Sequence, residues 1–240
     1  MEQSSFFPAR FCRLSGSALK LLAVVTMLID HTAICLEPLL RQPRLPLFGR
    51  IVTPYLALRF VGRLAFPIFC FLLAEGFRHS RDRRRYALRL LLFALLSELP
   101  YDLFHVSALD WTRQNVFFTL LLGFLGIWVL EGFRTQPWKQ LLGLGLLFAA
   151  AWKLGADYGW AGFLFILLVH LLRKWPAAQV LACSAMISWP VGVGLAFLPI
   201  NLYNGQRGFV RSRWLQYAFY AFYPLHLLLL WRIHLRLFGY

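Results

Sequence analysis

The chain has 240 residues, 60% of them hydrophobic, with a mean hydropathy of +0.61 and 25 Lys and Arg against 10 Asp and Glu. A soluble domain is nearer about 45–50% apolar, so a water-soluble class is excluded and an integral membrane protein is expected. The formal charge of +15 could serve nucleic acid, but the Arg residues stand between apolar runs, which reads as positive-inside topology and contact with anionic headgroups, with no nucleic-acid partner.

The N-terminal MEQSSFFPAR is not a cleavable signal, since the first apolar run lacks an A-x-A-like site. That run, 18–38, is about one bilayer thickness of helix and carries the doublet Asp30-His31. A second segment, about 56–78, follows a Pro- and Arg-rich loop and opens on Gly62-Arg63-Leu64-Ala65-Phe66-Pro67. Further segments are expected at about 86–104, 115–132, 138–154, 158–173, 176–197 and 214–236. The fold class is therefore all-α: one domain, 1–240, built as a polytopic helix bundle of about eight membrane segments. Cys12, Cys35, Cys70 and Cys183 show no CxxC spacing and no His/Cys cluster, so no disulfide and no metal are expected. The heaviest basic block, Arg78 to Arg89, marks a cytoplasmic loop; alternation from there puts both termini in the cytoplasm and 198–213 on the opposite side.

Depth decides which polar groups can meet. At about 1.5 Å per residue, Asp30 and His31 in the first segment, Arg63 in the second, Glu98 and Asp102 in the third and Asn115 at the start of the fourth share the outer half of the bundle. Tyr223 and His226 in the last segment join them near mid-depth. Ionisable groups inside a membrane face partners or a cavity and mark working sites. His31 suits proton abstraction near neutral pH, against the alternative of a core histidine bonded to a carbonyl. Asp30 pairs with Arg63, and Arg63 either stabilises a developing oxyanion or only neutralises a carboxylate. Glu98 and Asp102, four apart on one helix face, line an acceptor side or serve as ion-pair partners. Glu75 is too deep in the cytoplasmic half to reach Arg63; it either pairs with Arg78 at the membrane edge or has a functional role of its own. Arg81, Arg83, Arg84 and Arg85 set topology, or dock a phosphate-bearing donor such as a coenzyme A thioester.

At these residues the chain resembles the TraX family, membrane proteins named for acetylation of conjugative F-type pilin. The resemblance is carried by LKLLAVVTMLIDHTA (19–33), the run from Gly62 to Leu103, NVFFTLLLG (115–123), YGWAGFLFILL (158–168) and FYPLHLLLL (222–230). It implies a bacterial inner-membrane acyltransferase akin to the membrane-bound acyltransferase-3 group. In that group a first-helix His and a following Arg are central, matching His31 and Arg63. Acetyl-CoA as donor is implied by the resemblance alone. The acceptor is then an amine or hydroxyl on a peptide, lipid or glycan, a pilin-like N-terminus included. A small proton-coupled transporter and a non-enzymatic assembly factor are the alternative readings.

Overall fold

The structure is a computed structural model and describes residues 5–47 and 50–239. Residues 1–4 of the N-terminal stretch and 48–49 of the Pro- and Arg-rich loop lie outside them. Among the described residues the chain forms α1 (Gly16–Cys35), α2 (Glu37–Leu40), a hairpin of β1 (Leu45–Leu47) and β2 (Arg50–Val52), then α3 (Pro54–Gly62), α4 (Ala65–His79), α5 (Arg83–Val106) and α6 (Val116–Gly132). There follow α7 (Pro137–Lys153), α8 (Gly159–Leu171), α9 (Pro176–Met186), α10 (Pro190–Asn201) and α11 (Arg213–Phe238). The all-α reading holds, with one small antiparallel hairpin (Leu45 opposite Val52) outside the core.

Side-chain caps start several of these helices. Ser15, Thr53, Asp82, Asn115 and Ser212 each accept a backbone N–H from the first turn of α1, α3, α5, α6 and α11. The second expected segment is two helices. Pro67 has no N–H to offer the carbonyl four residues back, which belongs to Arg63. The chain answers with a tighter turn at Arg63-Leu64, where Leu64 N–H bonds the Val61 carbonyl at 3.2 Å. The seventh expected segment, 176–197, also divides. Pro190 disfavours the α-region for the residue before it; Trp189 sits at φ 71°, and α9 and α10 fold back on one another.

That division corrects the expected topology. Leu14 N–H bonds the Leu202 carbonyl, and Gly16 and Ser17 N–H bond the Gln206 and Arg207 carbonyls at 2.8 and 2.9 Å. The 202–212 loop therefore lies beside the start of α1, at the bundle end that also carries Arg81–Arg85, not opposite it. Lys20 stacks on Phe219, His31 meets His226, and His234 bonds the Cys35 carbonyl, so α1 and α11 run parallel. The two termini leave at opposite ends of the bundle, and the expectation that both share one face does not hold. The end with the α1 start is the basic end; β1–β2 and the 107–114 and 154–158 loops mark the other.

α4 is the centre. It is buried nearly all round, through Phe66, Ile68, Cys70, Phe71, Leu73 and Phe77, and packs on α1, α6, α8 and α10. Around it, α5 and α7 turn Leu88, Leu95, Leu99, Leu141 and Leu146 outward. Gly16–Cys35 and Pro54–His79 are each long and apolar enough to cross a bilayer. These are the surfaces of a membrane protein.

Candidate functional site

A cavity of about 560 Å³ runs through the bundle between α1, α4, α5, α6 and α11, within the usual range for small-molecule sites. At the basic end its wall includes Lys20, Arg89 and Arg207. Deeper in, it includes Asp30, His31, Asp157, Tyr158 and Tyr223. Among the described residues no three His, Cys, Asp or Glu side chains gather as metal ligands.

Asp30 is held by two arginines from one neighbouring stretch. Arg59 Nη1 donates to Asp30 Oδ2, and Arg63 Nη2 lies 3.7 Å from Oδ1. The expected Asp30–Arg63 pair is thus present, and Arg59, one helical turn earlier, completes it. Gly62 is why the approach is this close: a Cβ there would collide with the Asp30 carboxylate. Arg63 stands behind Asp30 rather than on the cavity wall, and its Nε is buried without a hydrogen-bond partner.

His31 Nδ1 lies 2.6 Å from His226 Nε2, and the rings are stacked. The partner of His226 Nδ1 is the Phe222 carbonyl at 2.8 Å. A carbonyl only accepts, so His226 carries its proton on Nδ1 and offers Nε2 as acceptor. His31 must then donate from Nδ1, which leaves the Nε2 lone pair of His31 free to take a proton. Two helices far apart in sequence thereby fix one tautomer.

Asp157, missed by sequence reasoning, reaches the same cavity from the loop between α7 and α8. The loop is pinned: Asp157 N–H bonds the Gln114 carbonyl at 2.8 Å, and the Thr119 hydroxyl donates to the Asp157 carbonyl. Burial pushes the Asp157 carboxyl up to about 6, against the pull of Arg63. Tyr158 beside it has φ 66°, an uncommon value for a bulky residue, and its ring stacks on Phe66 at 3.7 Å. Such backbone outliers gather at functional sites. The only sequence signal was an acid in the short loop before a strong family block.

Glu98, Asp102 and Asn115 form a separate group off the cavity wall. Asn115 is fully buried: its Oδ1 caps Phe117 N–H at 3.0 Å, and its Nδ2 donates to the Ala94 carbonyl and to Glu98 Oε2 at 2.8 and 2.5 Å. Asp102 Oδ2 accepts the Asp110 N–H at 3.0 Å and latches the 107–114 loop. The single mixed cluster expected from depth is therefore two clusters.

Arg81, Arg83, Arg84 and Arg85 do not line the cavity either. Arg85 pairs with Asp82 at 3.0 Å and Arg83 lies over the Phe77 ring. Glu75 pairs with Arg78 at 2.5 Å, the first of its two readings.

The TraX protein family matches residues 15–234. The chain is also 31% identical over 245 residues to the "Probable fimbrial assembly protein FimC, serogroup H1" of Dichelobacter nodosus, covering 90% of this chain and 94% of that one. No solved structure matches. The family blocks quoted above carry Asp30, His31, Arg63, Tyr158, Tyr223 and His226 into the site just described, and with a match over nearly its whole length the chain belongs to the TraX family.

Proposed function

We propose that this protein is a multi-pass acyltransferase of the bacterial inner membrane, moving an acetyl group from acetyl-CoA to an amine or hydroxyl acceptor such as a pilin-like N-terminus. The observation that carries the reading is the His31 imidazole on the cavity wall, its tautomer fixed by His226 and one ring lone pair left free. The acceptor N–H or O–H attacks the thioester carbonyl, and His31 Nε2 takes the proton. The C–S bond then breaks, the acetyl group stays on the acceptor, and the thiolate leaves and is reprotonated. His226 holds the His31 tautomer and shares the charge that develops on the pair.

Asp157 faces the same space and orients the attacking group. Arg63 and Arg59, locked by Asp30, supply positive potential behind the wall where the carbonyl oxygen gains charge; in this geometry Arg63 is a positioning residue. Glu98, Asp102 and Asn115 fix the ends of α5 and α6, off the cavity wall, and take no part in the transfer. The fimbrial name of the relative agrees with a pilin-like acceptor. It also favours the rival reading, an assembly factor without chemistry, which has no need of a titratable pair beside a cavity.

The test is transfer of labelled acetyl from acetyl-CoA by purified protein against peptide, lipid and glycan acceptors. His31→Ala is expected to lose about 10²–10⁴-fold in rate with its thermal unfolding little changed. Equal turnover in a folded His31→Ala protein overturns the mechanism. Absence of turnover with wild type, together with retained binding of a pilin-like partner, gives the assembly reading its place.

A further inference from the structure

We infer that the basic end of the cavity is a binding site for a diphosphate-bearing ligand, held by Lys20, Arg89 and Arg207. These cations come from three elements, α1, α5 and the 202–212 loop, and all three line one wall. Lys20 lies in the repulsive field of both Arg207 and Arg89. Among the described residues no carboxylate forms an ion pair with any of them, while Asp30 serves Arg59 and Arg63, Asp82 serves Arg85 and Glu131 serves Arg134. Convergent cations without an anion cost stability unless a ligand supplies one.

The geometry is set in advance of any ligand. The Arg207 carbonyl accepts from both the N–H and the hydroxyl of Ser17, at 2.9 and 2.7 Å, so the loop is tied to the first turn of α1. The Lys20 ammonium lies 5.5 Å from the Phe219 ring and the Arg89 guanidinium 5.3 Å from the Tyr86 ring, both rings on the same wall. Arg89 Nε is buried with no hydrogen-bond partner. Three donors with a buried, unused N–H suit the several oxygens of a diphosphate.

Lys20 and His31 are eleven residues apart on α1, roughly 16 Å. The ligand is therefore elongated, anionic at the basic end and reactive at the other. The choice of a coenzyme A thioester as that ligand rests on the transfer reading proposed above; the anion site does not. It takes the docking role considered for Arg81, Arg83, Arg84 and Arg85, which lie outside the cavity. An anionic lipid headgroup carries the same phosphate chemistry, so the test must separate the two.

Binding of coenzyme A to the full-length protein in detergent is the measurement, with pyrophosphate and phosphatidylglycerol as competitors. Lys20→Gln, Arg89→Gln and Arg207→Gln are each expected to weaken binding about tenfold, and Arg84→Gln to leave it unchanged. Pyrophosphate should compete. Arg207 is exposed in a loop, so its variant is expected to keep the wild-type unfolding temperature and carries the decision if the helix variants misfold. Unchanged affinity in Arg207→Gln, or competition by phosphatidylglycerol and not by pyrophosphate, overturns the proposal. The outcomes for the two readings differ. Coenzyme A binding that depends on the three cations, without acetyl transfer, keeps the site and removes the acyltransferase. Transfer whose KM for acetyl-CoA ignores all three cations removes the site and keeps the enzyme.

Discussion

Two groups of buried polar side chains share this bundle. In the Glu98–Asp102–Asn115 group each hydrogen bond ends within α5, α6 or the loop joining them. The other group draws Asp30 and His31 from α1, Arg59 and Arg63 from around the α3–α4 turn, His226 from α11 and Asp157 from the α7–α8 loop. The first finishes helix ends, with Glu98 Oε1 and Asp102 Oδ1 left buried and without a hydrogen-bond partner. The second spends hydrogen bonds on fixing charge and tautomer, and leaves atoms facing a hollow. An ionisable residue in an apolar helix is thus a reason to look for a site; what distinguishes the two cases is whether its contacts close locally or across the bundle.

That distinction can be broken most forcefully at Asp30. Asp30→Ala strands two guanidinium groups and is expected to cost about 3 kcal/mol in chemical or thermal unfolding. Gly62→Ala should destabilise in the same way, because its new methyl group displaces the Asp30 carboxylate. In the capping group, Asn115→Ala is expected to lower stability by about 1–2 kcal/mol while leaving acetyl transfer per folded molecule near the wild-type rate. A transfer defect as deep as that of His31→Ala would erase the contrast.

A pH dependence is expected as well. Asp157 is held at about 6 in the folded protein, above the roughly 3.9 of an unfolded chain. The folded state therefore binds this proton more tightly, and the contribution is complete below about 4 and lost as pH rises through about 6. Wild type should lose unfolding temperature across that window, and Asp157→Asn should lose less. Identical profiles would show that Asp157 is not held in a desolvating site.

Much of the first-half site was legible. Asp30, His31 and Arg63 stand out as expensive residues in apolar helices, and rise per residue placed them at one depth. Depth gives position along the bundle axis and nothing about angle around it. That is why Glu98, Asp102 and Asn115 were merged with a group they do not join. It is also why Lys20, Arg89 and Arg207, at three segment ends, gave no sign of converging. Arg59 is legible from its spacing, four residues before Arg63 on a shared helix face, as a candidate second arginine of the pair. The Trp189-Pro190 step carried the local rule for a helix break. Reading through it as one segment inverted everything after it, including the side assigned to Arg207.

The parallel course of α1 and α11 gives the molecule a direction. The proposed multi-pass arrangement then expects a reporter fused ahead of Gly16 and another fused beyond Gly239 to reach different compartments, and reporters in one compartment would overturn it. The route between them passes Lys20, then His31 and His226, before reaching His234. In the transfer proposed above, a donor and an acceptor need never share a solution: each approaches from its own end of the bundle, with the two imidazoles between them.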